Sequence, residues 1–219
     1  MQTPMPVPID FYFDFISPYG YFAAEQVTAW GQRLGRAVRW HAFHMRGVMK
    51  EHLGVTQALG DLPLKGDYVR RDVRRLAAWH GLPYAPAPTA GFSSVNAGRV
   101  FCLLAARDPQ AATRYALAVF RSHHAQGVSP NSWAACVDLA ADTGCPVDGL
   151  DEATQGATAR DAYRQATQRA VDQGVWGTPS FVLDGELFWG SDRMAWIEQW
   201  GQPQGAGKPL LEGQRRHVH

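Results

Sequence analysis

Residues 7–20 have the sequence VPIDFYFDFISPYG, and they decide the fold. Residues 7–15 are rich in aromatic and branched side chains in alternation, which predicts a buried strand. Ser17 and Pro18 follow directly. Serine at the N-cap and proline at the first helical position are typical of a helix start. This stretch therefore predicts a strand that turns at once into a helix.

The chain continues from this stretch as an α/β unit. Apolar residues at helical spacing over residues 19–34 predict a helix, and residues 38–44 predict a second strand. A strand, a helix and a strand in this order favour parallel pairing. The part that follows is mostly helical, with helices predicted at residues 67–80, 96–107, 111–122, 132–142 (capped by Ser129 or Asn131) and 161–173.

Strand patterns return near the end of the chain. Residues 180–183 and 187–189 predict two strands joined by Asp184-Gly185, a strong hairpin signal. Residues 191–200 predict a last helix that Ser191 caps. This order predicts an α/β, thioredoxin-like fold with an inserted all-helical domain. The predicted division is 7–46 with 160–200 for the thioredoxin-like domain, 47–159 for the helical domain and 201–219 for a tail.

The composition argues against two classes of partner. Of 219 residues, 46% are apolar and 19% are charged, and 21 basic side chains nearly balance 20 acidic ones. A net charge of +1 gives no reason to expect nucleic acid or a membrane surface as a partner. The three cysteines form no CxxC pair, which predicts no disulfide framework and a cytoplasmic location.

Ser17 is the first residue that can carry chemistry. It is predicted at the carboxyl end of a strand and at the positive end of a helix, where ligands of open α/β sheets bind. Its hydroxyl can donate a hydrogen bond to an anion held there. The plainer alternative is that Ser17 is only an N-cap.

A second site lies in residues 174–193, GVWGTPSFVLDGELFWGSDR. A cis peptide bond at Thr178-Pro179 would expose backbone groups that can pair with a peptide-like ligand; the alternative is a plain turn. The turn at Gly190, Ser191, Asp192 and Arg193 offers backbone amides, a hydroxyl and a carboxylate, which can bind an amino-acid head group. The alternative is that these residues only begin a helix.

Together these motifs resemble the 2-hydroxychromene-2-carboxylate isomerase family. The resemblance rests on FDFISPYGYFA, on LKGDYVRRDVRRLAAWHGLPY in the middle and on VWGTPSFVLDGELFWGSDR, and it extends over residues 7–200. That family is related to kappa-class glutathione transferases and to DsbA-like proteins. The resemblance implies a homodimer, a small aromatic substrate and glutathione as cofactor.

The resemblance also implies roles for single residues. Ser17 is the catalytic serine, and Thr178 before Pro179 contacts the cysteine moiety of glutathione. Gly190, Ser191, Asp192 and Arg193 form the γ-glutamyl pocket. The aromatic substrate is expected between the domains near Lys50 and residues 86–96, with Asn96 among its contacts, although the stretch around residues 57–60 departs from the family pattern.

Hydrogen bonding can explain how a serine activates a thiol. A hydrogen bond to a charged group contributes about 1.5–3 kcal/mol, and a helix N-terminus adds about 0.3–1 kcal/mol. Together they lower a thiol pKa from about 8.5 by about one to three units. The thiolate is then a covalent catalyst that opens the chromene ring and is regenerated, without a histidine base.

Three other functions remain open from the sequence. They are a kappa-like glutathione transferase, a glutathione-binding module without catalysis, and a chaperone-like relative. A thiol–disulfide oxidoreductase is disfavoured because serine stands where such enzymes need cysteine. His41 and His44 are interpreted as structural and no metal site is predicted, whereas His123 and His124 end a predicted helix, where positive charge is favoured.

Overall fold

The computed structural model describes residues 6–85 and 91–200. One mixed sheet has the strand order β2-β1-β3-β4. Its strands are β1 (Ile9–Phe13), β2 (Val38–Ala42), β3 (Ser180–Leu183) and β4 (Glu186–Trp189). β1 pairs with β2 in parallel and with β3 antiparallel, and β4 completes the hairpin with β3. The predicted parallel unit and hairpin are therefore confirmed.

The hairpin turn has the geometry that its sequence predicts. Asp184 and Gly185 have φ angles of 50° and 86°. Two consecutive residues with positive φ match the twist of the flanking strands, and glycine adopts such angles without a steric penalty.

Eight α-helices are formed by the described residues. They are α1 (Pro18–Arg33), α2 (Met45–Leu53), α3 (Lys65–His80), α4 (Val95–Arg107), α5 (Pro109–Phe120), α6 (Trp133–Asp142), α7 (Glu152–Asp172) and α8 (Met194–Trp200). Short 3-10 turns lie at Leu59–Asp61 and Ser191–Arg193, and α5 continues into a π-helical turn at Arg121–Ala125. Among these helices none has both the length and the apolar character needed to cross a bilayer.

The helices differ from the predicted ones in three respects. Helix α2 is not among the predicted helices, although Met45, Val48, Met49 and Leu53 stand at helical spacing. Helix α7 begins at Glu152 instead of residue 161, so the predicted domain boundary at residues 159 and 160 lies within it. The predicted cap of α6 is also wrong: the Ser132 hydroxyl accepts a hydrogen bond from the Ala135 N–H at 3.1 Å.

The sheet and the helical region share one core. Phe11 and Phe13 of β1 are fully buried on the face that α1 covers. The Phe13 ring lies 5.1 Å from that of Phe101 in α4 and 5.6 Å from that of Phe120 in α5, measured between centroids. Tyr12 points to the opposite face and packs in a smaller cluster beneath α7. β1 is thus held from both sides, which fixes the position of the residues that follow it.

Candidate functional site

Ser17 lies at the N-terminus of α1, as predicted. It is the N-cap, with φ −90° and ψ 120°, and Pro18 is the first helical residue. Its Oγ accepts a hydrogen bond from the Gly20 N–H at 3.1 Å. Only 6% of Ser17 is exposed. The hydroxyl oxygen is therefore held in place at the positive end of the helix dipole.

The Thr178-Pro179 peptide bond is cis, so this prediction is confirmed. The bond places the Thr178 carbonyl next to α1, where it accepts a hydrogen bond from the Ser17 Oγ at 3.4 Å. The Thr178 Oγ1 accepts a second hydrogen bond, from the Asp14 N–H at 3.2 Å. Two motifs that are far apart in the sequence thus meet at one point.

This arrangement leaves the serine hydrogen available for a ligand. At 3.4 Å the bond to the Thr178 carbonyl is beyond the usual range for a hydroxyl donor, so the hydroxyl loses little when it turns to another acceptor. An anion in this place would accept that hydrogen and would also gain from the helix dipole. The geometry is suited to stabilising a thiolate.

The turn at residues 190–193 joins this group through the backbone. The Gly190 N–H donates to the Pro179 carbonyl at 2.9 Å. The prediction that Ser191 caps a helix is wrong: residues Ser191–Arg193 form a 3-10 turn after Gly190, without a side-chain capping bond, and α8 begins only at Met194. The positive φ of Gly190 turns the chain sharply after β4, and this leaves no place for Ser191 at a helix N-cap.

The charged pair of this turn is exposed. Asp192 Oδ2 lies 2.7 Å from Arg193 Nη1, and the Arg193 guanidinium stacks over the Trp196 ring at 4.5 Å. An exposed pair of this kind is weak and exchanges partners readily. The Asp192 carboxylate can therefore exchange Arg193 for another cation, such as an ammonium group.

The two predicted substrate contacts lie on helices α2 and α4. Lys50 is exposed near the end of α2. Asn96 lies in the first turn of α4, and its amide donates to the Asn131 carbonyl at 3.0 Å. Neither residue contacts Ser17 or Thr178 in the described part of the chain. Residues 86–90 of the predicted substrate stretch lie outside the described residues.

Asp14 is a residue of this site that the sequence analysis missed. It is only 1% exposed and lies three residues before Ser17. Its Oδ1 accepts the Ile16 N–H at 3.2 Å, and its Oδ2 accepts the Met45 N–H at 2.9 Å. Burial raises the pKa of this carboxyl, although the donors around it oppose the shift. The signal in the sequence was a single charged residue within the apolar run FYFDFI.

Two tryptophans flank the cis-proline segment. The ring centroids of Trp176 and Trp189 are 4.3 Å apart. Both side chains are partly open to solvent, at 37% and 50% exposure. An exposed aromatic pair of this kind is suited to stacking on a planar ring.

His123 and His124 differ from the prediction. They lie in the π-helical turn Arg121–Ala125 and are 1% and 3% exposed, so they are not cations at an open helix end. Burial lowers the pKa of His123 to about 4 and that of His124 to about 3. The His124 Nε2 is 2.9 Å from the Phe15 carbonyl, and a carbonyl only accepts, so Nε2 carries the hydrogen.

The cysteines are not redox groups of this site. Cys136 and Cys145 are buried and Cys102 is partly buried, all as free thiols. Burial raises the pKa of Cys102 to about 12 and that of Cys136 to about 11, so these two stay protonated and unreactive.

A surface cleft of about 470 Å³ lies apart from Ser17, beside α7. Within it, Asp10 is paired with Arg39 at 2.7 Å and with His41 at 2.7 Å. Because Arg39 and His41 already neutralise this carboxylate, the site around Ser17 is a better candidate for ligand binding than the cleft. Within residues 6–85 and 91–200, no group of three or more His, Cys, Asp and Glu side chains could hold a metal ion.

Comparison with known proteins places this chain in a family. The family model of the DSBA-like thioredoxin domain matches residues 8–200. A 2-hydroxychromene-2-carboxylate isomerase from Pseudomonas putida is 27% identical over 190 residues, which cover 87% of this chain and 92% of that enzyme. Glutathione S-transferase kappa 2 from Caenorhabditis elegans is 24% identical over 200 residues, which cover 85% of this chain and 88% of that protein.

The fold agrees with a solved relative as well. The structure of a 2-hydroxychromene-2-carboxylate isomerase superposes with a TM-score of 0.76 at 27% identity and covers 88% of this chain and 92% of that one. The predicted α/β thioredoxin fold with a helical insertion is therefore confirmed, and so is the resemblance to these isomerases.

Proposed function

Because this chain belongs to the DSBA-like thioredoxin domain family, we propose that it is a glutathione-dependent isomerase. The reaction is the interconversion of 2-hydroxychromene-2-carboxylate and trans-o-hydroxybenzylidenepyruvate. One observation carries the proposal: the Ser17 Oγ lies at the N-terminus of α1 and 3.4 Å from the carbonyl of a residue before a cis-proline. The isomerase and transferase names among the relatives agree with this chemistry.

The chain's own residues would hold glutathione at three points. The backbone of Thr178 would pair with the cysteine moiety, and the turn of Gly190, Ser191, Asp192 and Arg193 would bind the γ-glutamyl end. Ser17 would donate its hydroxyl hydrogen to the sulfur and so favour the thiolate. Bound glutathione supplies a nucleophilic sulfur that is returned unchanged at the end of the cycle.

The aromatic substrate would lie next to this sulfur position. Trp176 and Trp189 offer a planar surface, and Lys50 offers a positive charge to the substrate carboxylate. Asn96 uses one N–H for the Asn131 carbonyl, and its second N–H or its Oδ1 would be the polar contact to the substrate. A homodimer remains part of the proposal through the family resemblance.

A kappa-like glutathione transferase is the second candidate, and the relative from Caenorhabditis elegans favours it. A transferase would join glutathione to an electrophile and release the product, so glutathione would be consumed. An isomerase would leave the amount of free glutathione unchanged.

The test is the ultraviolet time course of 2-hydroxychromene-2-carboxylate with the purified protein, with and without glutathione. Remaining free thiol is measured at the end. Turnover that requires glutathione and conserves it supports the isomerase, and turnover that consumes it supports the transferase. Absence of turnover, with or without glutathione, contradicts the proposed reaction.

The variant Ser17→Ala tests the role of the hydroxyl, and Ser132→Ala is its matched control. Each serine caps a helix by accepting one N–H at 3.1 Å, so each substitution costs about 1 kcal/mol of stability. Only Ser17→Ala should raise the pKa of the bound thiol, by about one to two units, as measured by thiolate absorbance at 240 nm. An equal pKa in both variants would show that the hydroxyl does not act on the sulfur.

A further inference from the structure

The Asp14 carboxylate receives hydrogen bonds from two separate segments of the chain. The Ile16 N–H belongs to the turn before Ser17, and the Met45 N–H is the first of helix α2. The Ser94 hydroxyl lies nearby and lowers the pKa of the carboxyl. No lysine or arginine side chain forms an ion pair with Asp14 in the described part of the chain. The carboxylate is thus held by hydrogen bonds to helix starts rather than by a counter-charge.

The start of helix α2 depends on this carboxylate. His44 precedes α2 at the N-cap position but makes no side-chain capping bond, so Asp14 takes one of the free N–H groups of that helix. A charged acceptor makes such a hydrogen bond stronger than a neutral one would.

The backbone of Asp14 is bound directly to the candidate site. Its N–H donates to the Thr178 Oγ1 at 3.2 Å. Its carbonyl accepts the Ser17 N–H at 3.1 Å. The residue that carries the carboxylate therefore contacts both partners of the hydrogen bond between Ser17 and Thr178.

We propose that Asp14 is the positioning residue of this site: it fixes the Ser17 hydroxyl against the cis-proline segment and couples it to the start of α2. The inference rests on the proposed function only for what Ser17 does to the sulfur, because the hydrogen bonds of Asp14 are present in the protein without glutathione. A shift of α2 would move Asp14 and, through it, the orientation of the serine.

The variant Asp14→Asn tests the proposal with little change in shape. An amide offers one acceptor and one donor, so its NH₂ group must face either the Ile16 or the Met45 N–H, and one of these hydrogen bonds is lost. Asp10→Asn is the control. It lies on β1, the strand that ends just before Asp14, and it also loses hydrogen bonds, from Arg39 and His41, but it does not contact Ser17 or Thr178.

The first readout needs no glutathione. Hydrogen exchange at the Gly20 amide reports the bond to the Ser17 Oγ. Positioning by Asp14 predicts exchange about tenfold faster at Gly20 in Asp14→Asn and unchanged exchange in Asp10→Asn. Faster exchange at Ile16 and Met45 alone would overturn the proposal, because the damage would then stop at the carboxylate.

The second readout separates positioning from simple charge. If Asp14 holds Ser17 in place, Asp14→Asn raises the pKa of the bound thiol by about one unit and lowers kcat/KM about 10²-fold. If Asp14 acted only as a nearby negative charge, its removal would lower that pKa. A lowered or unchanged thiol pKa therefore overturns the proposal.

Two further measurements keep the outcomes distinct. Ser94→Ala removes a polar neighbour of the Asp14 carboxylate and leaves both backbone donors. It should therefore change the Gly20 exchange rate and the thiol pKa in the same direction as Asp14→Asn but by less, and it is the variant to measure if Asp14→Asn does not fold. Binding of glutathione to the unaltered protein is measured first by calorimetry. Absence of binding contradicts the proposed function, whereas the exchange at Gly20 still decides the role of Asp14.

Discussion

The buried histidines behind the Ser17 loop should make the stability of this protein sensitive to acid. His124 donates a hydrogen bond to the Phe15 carbonyl, and its ring stacks on that of Tyr21 at a centroid distance of 5.5 Å. Burial lowers its pKa to about 3, with the charge of His123 as a smaller cause. The informative perturbation is His124→Gln, which can keep a donor for the carbonyl and removes the titrating ring.

The magnitude follows from the two pKa values. In the unfolded chain His124 takes up a proton near the ordinary histidine pKa of 6.5, whereas in the folded protein its pKa is about 3. The unfolded state binds more protons in this window, so stability is lost as the pH falls below 6.5. Between pH 7 and pH 5 the loss from His124 alone is about 2 kcal/mol.

The assay is urea unfolding followed by far-ultraviolet circular dichroism at pH 5, 6 and 7. His124→Gln should be less stable than the unaltered protein at pH 7 because ring contacts are lost, but it should lose about 2 kcal/mol less on going to pH 5. Burial raises the pKa of Asp14, which acts in the opposite sense. That effect is present in both proteins and cancels in the comparison.

The control is His52→Gln, which removes an exposed histidine of α2. It measures how much stability at pH 7 is lost when an exposed histidine is exchanged for glutamine. Equal losses between pH 7 and pH 5 in the unaltered protein and in His124→Gln would refute the reasoning, because the buried ring would then titrate as it does in the unfolded chain.

Three further predictions concern the site and the thiols. Trp176→Ala should raise the KM for the aromatic substrate about two- to tenfold in steady-state assays without changing glutathione affinity, whereas Trp79→Ala, at an exposed position of α3, should change neither. Gly190→Ala should weaken glutathione binding in calorimetry about tenfold or more, because φ is 113°, an angle that residues with a Cβ rarely adopt, and the Cβ would meet the Asp192 side chain. Cys102 and Cys136 should react with iodoacetamide at pH 8 about 10² times more slowly than a free thiol, and unfolding in urea should remove this protection.

The site could be predicted from the sequence wherever it depends on short segments. The strand that ends before Ser17, the helix start at Ser17-Pro18 and the hairpin at Asp184-Gly185 are set by neighbours within a few residues. Local backbone preferences and alternation of apolar side chains suffice for such features. The cis bond before Pro179 was a candidate in the sequence, since such bonds are essentially confined to proline.

Tertiary structure decided the residues whose partners lie far away in the chain. The sequence shows Asp14 as one acid within an apolar strand, and only packing brings Met45 and Ser94 to it. His123 and His124 look like solvated residues at a helix end until neighbouring segments cover them and make them neutral. Ser191 has the sequence of an N-cap, yet the backbone turn after β4 removes that role. The sequence by itself determined the order of elements and the place of Ser17. Burial and long-range hydrogen bonds, which arise only when distant segments pack, decided the charge states and the support of the site.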